Sequence, residues 1–106
     1  MGALETPAIL VVDDDESILE MVSCVLRRNG YRVLSQSNPV RAIEVAAENE
    51  IQLVITDLLM PHLDGIELAQ RLRVHPNTQR ASIILLTASA DADVLERQLR
   101  RHGHAR

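Results

Sequence analysis

The 106-residue chain is 46% apolar and 25% charged, the balance of a folded globular domain rather than a disordered chain, and its length suits a single domain over 1–106. Its net charge of −4 is unevenly placed: residues 1–96 hold all fifteen acids against seven arginines, while 97–106 hold four arginines and no acid. The acidic body, with Tyr31 as the one aromatic, argues against a nucleic-acid-binding domain, and a basic helix end suits the helix dipole without any ligand.

The first apolar run, at 9–12, reads as a strand buried on both faces. A helix follows from about Asp15 to Ser17, sets Ile18, Val22, Val25 and Leu26 on one face, and stops at the cap Asn29-Gly30. The run at 31–35 is the least apolar and is expected at a sheet edge. Asn38-Pro39 opens a second helix that presents Val40, Ile43 and Ala47. A third strand spans 51–56. A helix beginning near Asp64-Gly65 carries Leu68, Ala69 and Leu72 and ends before His75-Pro76. A fourth strand at 82–87 and a helix from about Asp91, with Leu95 and Leu99 one turn apart, complete the alternation.

Strict β-α alternation with short connections predicts an α/β, doubly wound parallel sheet. Such sheets bind ligands outside the carboxyl ends of their strands. Asp13, Asp57 and Thr87 stand at three of those ends. Asp13, Asp14 and Asp57 are therefore expected to form an acidic pocket, which like-charge repulsion disfavours without a cation. A hard, oxygen-seeking ion such as Mg²⁺ relieves it and also accepts phosphate oxygens. For Asp15 or Asp64 alone, helix capping is the simpler role. Asp57 precedes Leu58-Leu59-Met60-Pro61, so capping does not explain it.

Three segments, VVDDDE, ITDLLMPHLDG and LLTASA, resemble the signature segments of response-regulator receiver domains, the CheY-like modules of two-component signalling. The intervals of 44 residues from Asp13 to Asp57 and 30 from Asp57 to Thr87 agree with that family. The resemblance implies a flavodoxin-like sheet of order 2-1-3-4 and makes Asp57 the phosphoacceptor. It further implies Mg²⁺ on Asp13, Asp14, Asp57 and the backbone carbonyl of Leu59, with Thr87 bonding the phosphoryl group after transfer. Ala88 would leave the site open, Pro61 and Gly65 would shape the acceptor loop, and His62 would face solvent. The implied donor is a histidine kinase or phosphotransfer protein, and the implied role is a switch rather than an enzyme.

The chain departs from the family pattern in having no lysine and in stopping where a fifth strand and helix are expected. Arginine does not simply replace a point ammonium, and Arg97, Arg100 and Arg101 are expected on the fourth helix, away from the usual lysine position. The fourth strand is then expected to be an open edge with uncovered apolar surface, inviting a homodimer or a covering partner. A phosphorylation-independent pseudo-receiver, used for docking or dimerisation, is the alternative. An aspartyl phosphatase using Asp13 and Asp15 is a third reading, weakened by the lack of a substrate-binding insertion.

Cys24 is the single cysteine, so no internal disulfide forms and a reducing, cytoplasmic setting is expected. No run approaches membrane-span length, no signal-peptide pattern opens the chain, and the loose match of Met1 to Thr6 to a myristoylation pattern is of a kind that arises by chance.

Overall fold

Asp15, Asn38 and Asp64 set where the helices begin. In the computed structural model, which describes residues 7–57, 60 and 63–86, each accepts backbone N–H groups left free by a first helical turn. Asp15 Oδ1 accepts from Ser17 at 2.9 Å and Ile18 at 3.3 Å, opening α1 (Glu16–Arg28). Asn38 accepts from Val40 and Arg41 and is followed by Pro39 at the first position of α2 (Pro39–Ala47). Asp64 accepts from Glu67 at 2.8 Å, opening α3 (Gly65–Arg73).

The strands are β1 (Ala8–Val12), β2 (Val33–Gln36), β3 (Ile51–Asp57) and β4 (Ser82–Leu86), all parallel, in the order β2-β1-β3-β4. The doubly wound reading and the edge position of the second strand both hold. β1 is buried throughout, as a strand covered on both faces must be. Its alternate residues feed two cores. Ala8, Leu10 and Val12 pack with Val54, Ala42, Ala46, Leu68 and Leu72 on the α2/α3 side. Ile9 and Val11 pack with Leu19, Val22, Val25 and Leu26 of α1, and with Ile55 and Ile84, on the other.

Three details differ from expectation. β2 starts at Val33, not at residue 31, because the Tyr31 N–H donates to Leu26 O while Gly30 N–H donates to Arg27 O. That pair closes α1 with a Schellman motif, for which Gly30 takes φ +86°, and so withholds Tyr31 from the sheet. On α2, Ala42 and Ala46 face the core, whereas Val40 is 53% exposed, Ala47 is exposed and Ile43 is half-buried. The small alanines let this short helix lie close to the sheet, a choice that apolar periodicity cannot make when apolar residues line most of the helix. Finally, Leu53, Ile55, Ile84 and Leu86 on the α1 side are all buried, so the apolar surface expected to lie open beside β4 is closed at these positions; Leu85 is 39% exposed.

Among the described residues β4 is an outer strand, and no helix is long and apolar enough to cross a membrane. Thr87, Leu59, Pro61, His62 and the expected fourth helix lie outside the described residues.

Candidate functional site

Parallel pairing of β1 with β3 aligns Val12 with Thr56, so the residues that follow, Asp13 and Asp57, emerge side by side at the carboxyl end of the sheet. Asp57 is the last residue of β3, half-buried, and opposite Leu86 of β4. Asp13 is 4% exposed and held twice: its N–H donates to Gln36 O at 3.2 Å, and its Oδ1 accepts from the Asp15 N–H at 2.9 Å. Asp14 is exposed. One carboxylate oxygen from each of Asp13, Asp14 and Asp57 falls within 4.8 Å of the others. The three acids singled out in the sequence are thus brought together.

This proximity has an electrostatic cost. Burial pushes the Asp13 pKa up to about 6; the charges of Asp57, Asp14 and Asp15 push the same way, against the lowering effect of the hydrogen bond from Asp15. A group of hard oxygen donors, one deeply buried and one open to solvent, suits a small divalent cation that keeps part of its water shell. The donor set therefore fits Mg²⁺, and bound cation would draw Asp13 into its ionised form.

Sequence reading missed how the loop beside Asp57 is fastened. Met60, 8% exposed, and Leu63, 4% exposed, sit in the same core as Leu68 and Leu72. Apolar residues three apart inside a short loop were the available signal. Both lie between Asp57 and the Asp64 cap in the chain, and Gly65, buried at the first position of α3, adds no side chain there. Thr56, 1% exposed, donates through Oγ1 to Asp57 O at 3.0 Å.

Residues 9–104 match the response regulator receiver domain family. The chain belongs to that family. Within the receiver domains it is similar to the transcriptional regulatory protein SrrA of Staphylococcus aureus, 37% identical over 83 residues that make up 78% of this chain and 33% of the relative. The chain thus corresponds to about a third of that regulator's length. Its fold matches the chemotaxis response regulator CheY4 of Vibrio cholerae at TM-score 0.82 and 23% identity, covering 91% of this chain and 98% of CheY4. It also matches the receiver domain of sensor histidine kinase PA1611 from Pseudomonas aeruginosa at TM-score 0.80 and 21% identity, covering 94% and 99% of the two chains. The PA1611 domain was described with a magnesium ion coordinated in its active site cleft. As a receiver domain, the chain is a component of two-component signalling.

Proposed function

We propose that Asp57 accepts a phosphoryl group from a phosphohistidine on a histidine kinase or phosphotransfer protein, and that the modified domain switches its protein contacts. The observation that carries this is the convergence of Asp13, Asp14 and Asp57 within 4.8 Å on the sheet's carboxyl rim. A carboxylate oxygen of Asp57 attacks phosphorus, an O–P bond forms, the N–P bond to the donor imidazole breaks, and its electron pair stays on the ring nitrogen. The end of β3 fixes where that oxygen lies, which is the larger part of what a protein contributes to such a transfer. Asp13, Asp14, Asp57 and the Leu59 carbonyl are the residues that would hold Mg²⁺, which when bound neutralises charge on the transferring group. Thr87, the residue after β4, is assigned to bond the phosphoryl group after transfer. The domain acts as a signalling module, without turnover of a separate substrate.

The second reading is a docking module that works without phosphorylation. Its support is the complete absence of lysine: all eleven cationic residues of the chain are arginines. Intact mass after incubation with Mg²⁺ and a small acyl-phosphate donor separates the two. Gain of one phosphoryl group by the parent and none by Asp57→Ala supports phosphotransfer; no gain in the parent, with Mg²⁺ binding retained, selects the docking module.

A further inference from the structure

Positive charge gathers at the end of the sheet opposite the acidic rim. Arg27 and Arg28 end α1, Arg32 precedes β2, Arg71 and Arg73 lie in the last turn of α3, and Arg80 precedes β4. The α3–β4 side is the more one-signed, since residues 71–82 contain three arginines and no acid. Arg71, Arg73 and Arg80 are all exposed, and Val74 among them is 82% exposed. Helix-dipole pairing accounts for Arg71 and Arg73. It does not account for Arg80, which stands in a loop, or for an apolar side chain left in water.

The corner is also rigid. Arg73 Nη1 donates to Gln79 O at 2.9 Å and Ala81 O at 2.7 Å, and Thr78 Oγ1 donates to Leu72 O at 2.6 Å. Asn77 Nδ2 reaches across to Ala46 O and Ala47 O at the end of α2, while Asn77 O accepts from Ile51 N at the start of β3. Arg73 is therefore held in place before any partner arrives. The Arg71 and Arg80 side chains have no hydrogen bond or ion pair among the described residues and remain available for carboxylates. Fixed guanidinium groups lose little freedom on pairing, which favours them as anchors.

We propose that Arg71, Arg73, Val74 and Arg80 form a docking surface for an acidic protein segment carrying an apolar residue that covers Val74. A protein segment fits better than a nucleic-acid backbone. Glu48 caps α2 and Glu50 precedes β3 on the neighbouring loop that Asn77 ties to this corner, so a continuous polyanion would run onto them, whereas a short segment ends before them. The surface lies at the far end of the strands from Asp57, so occupation leaves the acceptor rim open.

The test titrates the isotope-labelled full chain with a synthetic peptide of alternating Glu and Leu, following amide shifts by NMR and affinity by fluorescence anisotropy. Shifts centred on 71–82 are expected, with affinity falling as salt rises. The exposed double variant Arg71→Glu/Arg80→Glu, its fold checked by retained dispersion, is expected to weaken binding by about tenfold or more, and Val74→Ser severalfold. The proposal is overturned by shifts centred on Arg27 and Arg28, by unchanged affinity in the double variant, or by duplex DNA binding more tightly than the peptide through the same residues.

Discussion

Asp13 is nearly buried beside Asp14, Asp15 and Asp57, and its carboxyl group titrates near 6 rather than 3.8. Between those values the folded state keeps a proton that the unfolded state has released. The stability this contributes is fully present below pH 3.8 and is lost as pH rises through 6. Metal-free protein is therefore expected to lose stability relative to Asp13→Asn across that window, by on the order of 2–3 kcal/mol in urea unfolding. A parent-minus-variant difference that stays flat with pH would contradict this. Saturating Mg²⁺ is expected to reverse the ranking near neutral pH, because only the parent keeps all three carboxylates. Ser23 makes a second residue-level case. It is 3% exposed on α1, and its Oγ has no hydrogen-bond partner among the described residues. Ser23→Ala removes an unpaired buried hydroxyl and installs a better helix former, so a gain of about 1 kcal/mol is expected in the same assay.

Among the elements, α1 depends on its termini as much as on its apolar face. Gly30 takes φ +86° to close the helix, with nothing within 4 Å of where a Cβ would sit. Gly30→Ala therefore costs through backbone strain alone, about 1 kcal/mol, and Gly30→Asn should cost less; chemical denaturation of the two variants checks the ranking. The caps were legible in the chain because Asp15, Asn38 and Asp64 announce themselves by residue type. The buried face of α2 was not, since only packing decides between Val40 and the alanines Ala42 and Ala46. Likewise, the commitment of the Tyr31 N–H to Leu26 O, which delays β2, is a competition between helix end and strand that apolar patterning does not register.

At the scale of the molecule, the parallel sheet and the meeting of Asp13, Asp14 and Asp57 follow from alternation and from the rule that parallel strands present their carboxyl ends on one rim, whereas the strand order came from the resemblance to receiver domains. The coupling around that rim was less visible. Asp13 is tied to both Gln36 and Asp15, and Met60 and Leu63 pack into the core that also holds Ala8, Leu10 and Val12 of β1. Such contacts join distant residues and leave no local signature. Mg²⁺ at about 100 times its dissociation constant is expected to stabilise the fold by about 2.7 kcal/mol, and Asp57→Asn to forfeit much of that; thermal unfolding with and without the ion measures both.

β3 is hydrogen-bonded to β1 on one side and β4 on the other, and Asp57 is its final residue. Amides inside a doubly paired strand exchange with solvent deuterium only when the sheet itself comes apart. Leu53 to Ile55 should thus be among the slowest amides to exchange, well behind Val33 to Gln36 on the outer β2. The Asp57 carboxylate is then carried by the part of the sheet that opens last, and its position is expected to survive local openings elsewhere in the fold.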